Sequence, residues 1–331
     1  MGREQGRKGA VTPLKQPNRR LRSAARALAF SPRVPFEVRS RLLYWSHRRS
    51  WPTRQPVTFN QKLLWKMTKD RSPLLTTFAD KVAMRDYVAG LVGRQHLTDL
   101  YDVVEDPDRL DPNRLPETFV VKPNHASGMV WFVDRAHPGR ESYACLSSEI
   151  FRSTRDGLDW ELLRTTCRRW LGIQYSDCEQ EWAYRKIVPR ILVEELLEDL
   201  GASTPPEYKL FVLNGTVRLL KTHFDRFGMH RSDLVLPDGT LIATTAFGGT
   251  AHNTFSVPVH FDRMIAVAEA LARETDFLRV DIYDIDGRIV VGELTSYPGG
   301  PQGIHDPTLP PEVDTELGRL WAMPKHYIHS R

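Results

Sequence analysis

Arg279-Val-Asp-Ile-Tyr-Asp-Ile-Asp-Gly-Arg-Ile-Val-Val-Gly-Glu-Leu-Thr-Ser-Tyr-Pro-Gly-Gly300 has the pattern of a β-hairpin with acid groups on both arms. Val280, Ile282 and Ile285 approach the pair Asp286-Gly287, and Ile289, Val290 and Val291 leave it. Such β-branched runs flanking Asp-Gly predict a tight turn that needs positive φ angles. Asp281 and Glu293 lie at nearly equal distances from that turn, which brings two carboxylates together near one end of the hairpin. Arg279 stands beside them and Thr295 just beyond. Carboxylates held close repel one another, and a hard divalent cation such as Mg2+ relieves this, completing its oxygen shell with water and phosphate. The competing reading is a surface hairpin with solvated acids.

Working outward, Phe261 to Thr275 predicts an amphipathic helix with Met264, Ile265, Val267, Ala268 and Leu271 on its apolar face. Upstream, Tyr208 to Lys221 predicts a second hairpin about Asn214-Gly215. Lys209 there sits among Leu210, Phe211 and Val212, and a charged group in such company needs solvent or a partner. Residues 225 to 253, rich in Gly, Asp and Thr, read as a longer excursion with a hairpin at Asp238-Gly239, a lid or an insertion. Arg190 to Asp199 reads as an apolar strand ending in Glu194 and Glu195. Phe119 to Lys122 and Val130 to Val133 read as two strands joined by Asn124, His125, Ala126, Ser127 and Gly128. A small-residue loop of this kind brings backbone N–H groups and a hydroxyl to phosphate oxygens, with Lys122 as a point charge. It lacks the GxxxxGK[ST] spacing of a P-loop, and a plain hairpin fits it equally.

Residues 141 to 188 read as mostly helical, with Trp160, Leu162, Leu163, Trp170 and Leu171 as a buried face. Residues 57 to 93 predict two helices with cap candidates Thr58 or Asn60 and Thr77 or Asp80, and Lys81 and Arg85 share a face one turn apart. Leu21 to His47 predicts an amphipathic helix packed on the body, with Leu28, Phe36, Val38, Leu42, Leu43 and Trp45 inward. Residues 1 to 20 have almost no apolar content and are expected to be disordered.

With 331 residues, 41% of them hydrophobic, the chain can bury a core and form two or three subdomains. The net charge of +5 is unevenly spread, because only Glu4 and Glu37 oppose the many Arg and Lys up to Arg54. That asymmetry argues against a nucleic-acid partner and leaves peripheral association of the basic N-terminal region open. Three cysteines, Cys145, Cys167 and Cys178, lack CxxC spacing, so neither a zinc site nor a disulfide framework is indicated and a cytoplasmic location is expected. There is no run of about 18 apolar residues to span a bilayer, and the basic start has no apolar segment of a secretory signal.

Taken together, Thr58-Phe-Asn-Gln-Lys-Leu-Leu-Trp-Lys, Ala79-Asp-Lys-Val-Ala-Met-Arg-Asp-Tyr-Val, Val121-Lys-Pro-Asn-His-Ala-Ser-Gly, Glu207-Tyr-Lys-Leu-Phe and Gly292-Glu-Leu-Thr resemble the TupA-like ATP-grasp family over roughly residues 55 to 303. The segment from Arg279 is also similar to D-alanine:D-alanine ligases, which have Arg-Val-Asp, a hairpin, Glu-x-Asn and Pro-Gly. The resemblance implies an α+β or α/β chain with an ATP-grasp fold, in which two subdomains clasp the nucleotide beside an N-terminal helical region. The corresponding divisions are a basic tail 1–20, a helical region 21–115, a central subdomain 116–195, a C-terminal subdomain 196–303 and a tail 304–331.

The same resemblance implies ATP and Mg2+ as cofactors. Lys122 would hold the α- or β-phosphate, Ser127 and Gly128 would form the phosphate loop, and Lys81 would assist. Glu194 and Glu195 would contact adenine and ribose, and Lys209 would approach the nucleotide. Asp281 and Glu293 would hold magnesium beside the catalytic Arg279, with Thr295 standing where the ligases have Asn. The implied activity is ADP-forming ligation of a carboxylate to an amine through an acyl phosphate, on small-molecule or polymer substrates of cell-surface polymer synthesis. A kinase of a sugar or other hydroxyl, or a non-catalytic nucleotide-binding protein, are the alternatives on the same fold.

Overall fold

The computed structural model describes residues 19–31, 33–48, 51–134, 143–145, 148–178, 181–197, 205–224, 231–246, 256–299 and 309–324. Two six-stranded sheets organise them. In the first the order is β1 (Leu100–Val104), β6 (Ile191–Glu194), β2 (Phe119–Pro123), β3 (Met129–Val133), β5 (Ser148–Ser153) and β4 (Tyr143–Cys145). In the second it is β10 (Leu241–Ala246), β9 (Arg231–Val235), β8 (Thr216–Phe224), β7 (Glu207–Leu213), β11 (Phe277–Ile285) and β12 (Arg288–Thr295). Neighbouring strands are antiparallel, apart from the parallel pair β3 and β5.

Period-two alternation gives the second sheet two different faces. Leu210, Val212, Val280 and Ile282 point to one core with Met264, Ala268 and Leu271 of α8 (Phe261–Leu271) and Val88 of α5 (Ala83–Leu91). Phe211, Leu213, Leu219 and Phe277 point the other way. They meet Phe59 and Leu63 of α3 (Phe59–Lys69) and Leu317 and Trp321 at the end of α9 (Pro311–Leu320). Lys209 and Asp281 keep step with Phe211 and Phe277 along their strands, so this second face turns from aromatic to charged. The first sheet has its own core, in which Phe119, Val121 and Val193 pack with Leu163 and Trp170 of α6 (Trp160–Leu171).

Both hairpin turns form as their residues require. Asn214 and Gly215 have φ of 49° and 77°, and Asp286 and Gly287 have φ of 50° and 87°. Thr58 caps α3 in a reciprocal capping box with Gln61.

Elsewhere the structure departs from expectation. The single helix expected from Leu21 to His47 is two, α1 (Arg19–Ala29) and α2 (Phe36–Arg48), because the intervening Pro32 and Pro35 lack the N–H that would continue the ladder. Leu28 and Val38 are then 52% and 43% exposed, Leu43 is buried as expected, and Ala25, Ala29 and Tyr44 are buried in addition. Residues 57–93 form three helices, since Ser72 caps and Pro73 opens an additional one, α4 (Pro73–Ala79). The segment expected to be mostly helical from 141 begins with β4 and β5, and its helices are α6 and the short α7 (Tyr175–Cys178). Leu162, expected inward, is 51% exposed while Leu163 and Trp170 are buried.

Leu100–Val104, inside the stretch assigned to helix, is β1, and it pairs with β6. The expected C-terminal tail contains α9. The hairpin expected at Asp238-Gly239 forms from β9 and β10, but it is hydrogen-bonded to β8 and so is part of the sheet. Residues 225–230 and 247–253 of the expected excursion lie outside the described residues, as do residues 1–18 of the basic tail.

α9 docks on α3 by polar contacts at both ends. Asp314 Oδ1 accepts from Asn60 N at 2.8 Å and Nδ2 at 2.9 Å. Lys62 Nζ donates to the carbonyls of Gly318 at 2.7 Å and Trp321 at 2.6 Å, satisfying the helix end. Between them Gly318 lies so close to α3 that an added Cβ would stand 2.1 Å from the Val57 carbonyl oxygen, which is backbone and cannot step aside. Gly318→Ala is therefore expected to lower the urea midpoint, by about 1–3 kcal/mol of stability. Gly90→Ala in α5, where nothing lies within 4 Å of the new carbon, is expected to leave stability unchanged or raise it by about 0.5–1 kcal/mol. Equal midpoints for Gly318→Ala and the parent would refute the close approach.

Candidate functional site

The charged part of the second sheet is built on Asp281, which is fully buried. Its register partners are Lys209 on β7 and Glu293 on β12. A bulge shifts the pairing between Asp281 and Ile282, so that Glu293 faces Asp281 while Val291 faces Ile282. The extra residue is Gly292, whose missing side chain leaves room for the Tyr283 ring, since a Cβ there would be 2.6 Å from a ring carbon.

Arg279 Nε and Nη2 donate to the two Asp281 carboxylate oxygens at 2.6 and 2.7 Å, and Lys209 Nζ donates to Oδ2 at 2.5 Å. Lys209 also pairs with Glu207 at 2.9 Å, and Glu207 accepts from the Tyr283 hydroxyl at 3.1 Å. Arg279 Nη2 donates to Thr295 Oγ1 at 3.0 Å and lies 3.6 Å from a Glu293 oxygen. Although burial works against its charge, Asp281 and Glu293 hold the Arg279 guanidinium well above its ordinary pKa. Burial likewise works to raise Glu293, but Arg279, Lys81 and Lys209 more than offset it and leave that carboxyl below its ordinary value.

In the first sheet, the loop between β2 and β3 is fixed by the buried Asn124. Its Nδ2 donates to Asp80 Oδ1 at 2.8 Å and the Val188 carbonyl at 3.0 Å, and its Oδ1 accepts from Arg190 N at 2.7 Å. Lys81 N donates to the Asn124 carbonyl at 3.1 Å, and Lys81 Nζ to that of Ala126. Burial lowers the Lys81 ammonium to a pKa of about 8, with Glu293, Lys122 and Glu194 among the charges that act on it.

The two sheets face one cavity of about 460 Å3. Ser127 and Gly128 line it from the loop, and Lys209, Arg279, Glu293 and Thr295 line it from the second sheet. Six of the residues expected from sequence are thereby brought together. Lys81, Lys122, Glu194, Glu195 and Asp281 are not in its lining. Lys122 instead pairs with Glu194, which also takes Arg85 at 3.3 Å and the Thr98 hydroxyl at 3.0 Å. Glu195 forms a two-pronged pair with Arg288, at 2.7 and 2.8 Å, and accepts from Asp99 N at 3.0 Å. Of the two residues expected at adenine and ribose, Glu194 is thus engaged by Lys122, Arg85 and Thr98, and Glu195 fastens the end of β6 to the turn end of β12.

The donor set can be weighed against a magnesium ion. Glu293 and Thr295 offer oxygen atoms to the cavity, as a hard cation requires, and among the described residues Glu293 has only the long contact to Arg279. Asp281, expected as a direct ligand, has both oxygens occupied by Arg279 and Lys209. It therefore fits as the anchor of those cations and not as an open ligand. Among the described residues no group of three or more His, Cys, Asp and Glu side chains is arranged around a metal position.

Several lining residues escaped the sequence reading. Lys221 and His223 on β8, and the tilted pair Tyr175 and Tyr184 with ring centroids 4.7 Å apart, also border the cavity. Lys221 was not legible from the turn, because the Asn-Gly register alone would set Leu220 opposite Lys209, and a bulge between Phe211 and Val212 shifts the pairing by one residue to bring Lys221 there.

No curated protein matches the chain. Solved structures resemble it distantly. D-alanine–D-alanine ligase from Bacillus anthracis is 15% identical with a TM-score of 0.41, the match covering 77% of this chain and 68% of that one. The Helicobacter pylori enzyme of the same name is 13% identical with a TM-score of 0.38, covering 82% and 69%. The macrocyclase MdnC of Microcystis aeruginosa MRC, bound with its precursor peptide MdnA, is 9% identical with a TM-score of 0.36, covering 76% and 62%. None of these likenesses bears on the chemistry of this chain. The match of a family model is of another order: it runs through residues 61–322, from α3 past the last turn of α9, and the chain belongs to the TupA-like ATP-grasp family.

Proposed function

We propose that this chain is an ATP- and Mg2+-dependent ligase that joins a carboxylate to an amine through an acyl phosphate and releases ADP, in the synthesis or modification of a cell-surface polymer or related product. The observation that carries this reading is the shared cavity. A small-residue loop from one sheet faces a guanidinium, an ammonium and a carboxylate from the other. That is the combination needed to hold a polyphosphate beside a reacting acid.

In the first step a carboxylate oxygen of the substrate bonds to the γ-phosphorus of ATP and the bond to the β-phosphate oxygen breaks, leaving ADP and a mixed anhydride. In the second the amine nitrogen bonds to the acyl carbon, phosphate leaves with the former carboxylate oxygen, and the ammonium proton is lost. Arg279 is positioned for both. Asp281 grips its Nε and Nη2 from behind, fixing the plane of the guanidinium before the substrate arrives. Lys209, held by Glu207 and Asp281, adds a second fixed positive charge. Ser127 and Gly128 would cover the phosphates. Glu293 and Thr295 would hold Mg2+, which supplies charge neutralisation between the phosphate oxygens when bound.

ADP release, measured against amino acids, uronic acids and short peptides as acids and amines, tests the assignment. Arg279→Ala is expected to lower kcat by about 10²–10³-fold. Glu293→Gln should remove the magnesium-dependent rate, and equal turnover in that variant would end the metal assignment. ADP release that follows a hydroxyl acceptor and yields no amide would replace the ligase by a kinase.

Lys81 adds a pH dependence. Its ammonium is charged below a pKa of about 8 and neutral above it, so nucleotide affinity is expected to fall as pH rises from 7 to 9. Replacement by arginine should flatten that profile. Its contribution to folding has the opposite slope. Between about 8 and the ordinary 10.5 the unfolded chain binds the extra proton, so this residue makes the fold more stable as pH rises through that window. Calorimetric titration of ADP at several pH values checks the first effect, and urea unfolding of the parent beside Lys81→Met checks the second.

A further inference from the structure

α1 and α2 stand apart from the cavity, and none of their residues borders it. Their outer surface is unusual for helices that face solvent. The described residues leave thirteen large apolar side chains exposed, and six of these, Leu21, Leu28, Phe30, Val38, Trp51 and Val57, belong to this one part of the chain. Single exposed hydrophobic residues are ordinary on a protein surface, whereas a concentration of them marks a contact surface.

The spacing within the helices shows how this surface arises. In α1, Ala25 and Ala29 are buried where the helix packs on α2, and the Ala29 carbonyl accepts from Arg39 Nε at 3.0 Å. Leu21, Ala24 and Leu28 follow the i, i+3, i+7 spacing of a stripe beside that contact and stay exposed. In α2, Leu43 and Tyr44 are buried, and Val38, Leu42 and Trp45 form a second stripe that is exposed or half-buried. Phe30, at the turn between the helices, is exposed as well.

The charges interspersed with these stripes are almost all of one sign. Up to Arg54 fourteen Lys and Arg are opposed only by Glu4 and Glu37, while the rest of the chain is net negative. Glu37 is already paired with Lys69 at 3.3 Å. Arg26 and Arg33 flank Leu28 and Phe30 in the chain, Arg41 lies one turn on from Val38, and none of the three forms an ion pair among the described residues. The exposed Arg185 adds to them, its guanidinium lying 4.9 Å over the ring of Phe36 at the start of α2.

We infer that the α1–α2 face docks on the surface of an anionic lipid bilayer, with its arginines among the headgroups and Leu21, Leu28, Phe30 and Val38 at the acyl boundary. Apolar stripes interspersed with arginine suit helices that lie in the plane of the interface. A second copy of the chain fits less well, since an isologous contact sets arginine against arginine. Duplex nucleic acid also fits less well, because its phosphate backbone offers nothing to the leucines. The inference does not depend on the ligase reading.

The test is sedimentation of the full chain with vesicles of phosphatidylcholine, alone or with about one third phosphatidylglycerol. The anionic vesicles are expected to bind about tenfold or more tightly than the neutral ones, and raising the salt from about 0.05 to 0.5 M should weaken that binding about tenfold. Leu21→Gln combined with Leu28→Gln removes apolar contact and no charge. That double variant is expected to lose about tenfold in affinity for anionic vesicles, with its urea midpoint unchanged. Val38→Gln, on the other helix, should lose about threefold and serves if the double variant fails to fold. Equal binding to both kinds of vesicle, binding to neither, or undiminished binding by the folded variants each overturns the assignment. Tighter binding to duplex DNA than to anionic vesicles at equal phosphate concentration overturns it in favour of nucleic acid. Self-association that the leucine variant abolishes, in place of vesicle binding, overturns it in favour of a second copy.

Discussion

A carboxylate without water around it has to be paired, and in the second sheet Asp281 meets that demand with two cations. An unpaired buried charge costs several kcal/mol, so Arg279 and Lys209 are not free to wander while the sheet is intact. The hairpin supplies the means. β-branched runs on both arms and a turn at Asp286-Gly287 set the register, and a single bulge at Gly292 brings Glu293 opposite Asp281. From this pairing follows the direction of Arg279, and from Arg279 follow its contacts to Thr295 and Glu293. The polar face is thus assembled outward from its most buried member.

A second set of contacts brings the other sheet to this face. Asn124 ties the β2–β3 loop to Asp80 and Arg190, and Glu195 ties the end of β6 to Arg288 beside the Asp286-Gly287 turn. Glu195 therefore serves the relation between the sheets. Lys122 shares its charge with Glu194, as Lys209 does with Asp281, so most of the cationic groups near the cavity have a protein carboxylate close by. A polyanionic ligand enters such a place by exchange of partners. Its net gain is smaller than the count of lysines and arginines suggests.

What could be read from the chain beforehand was local. The two hairpins were legible because Asn-Gly and Asp-Gly are among the few sequences that accept positive φ at both central positions, and α3 and α8 because their caps or apolar periods are strong. β4 and β5 were not, since β5 belongs to the sheet through a parallel partner, β3, that no local pattern announces. The break between α1 and α2 was available in Pro32 and Pro35, but the apolar spacing on either side of them hid it. At the site, Arg279, Lys209, Glu293, Thr295, Ser127 and Gly128 were legible by residue type and order. The engagements of Glu194 and Glu195 were not, because Lys122, Arg85 and Arg288 come from segments distant in sequence. Asp281 was recognised as an acid of the site, but its partners could be found only once three strands had been set side by side.

Trp321 sets a limit of another kind. Its indole packs against Phe59 and Phe277 with ring centroids 5.5 and 5.0 Å away, and its Nε1 donates to Asp276 Oδ2 at 2.9 Å. Asp276 Oδ1 in turn receives the fully buried Lys66 at 2.5 Å, one residue before β11 begins. The strand that carries Arg279 and Asp281 is thus moored at its root by a side chain from beyond α9. Anyone excising this unit for fusion, or exchanging it between relatives, has to carry the C-terminal helix and its tryptophan along. A boundary drawn after the Pro298-Gly299 loop would keep every proposed site residue and still leave the hairpin without its anchor.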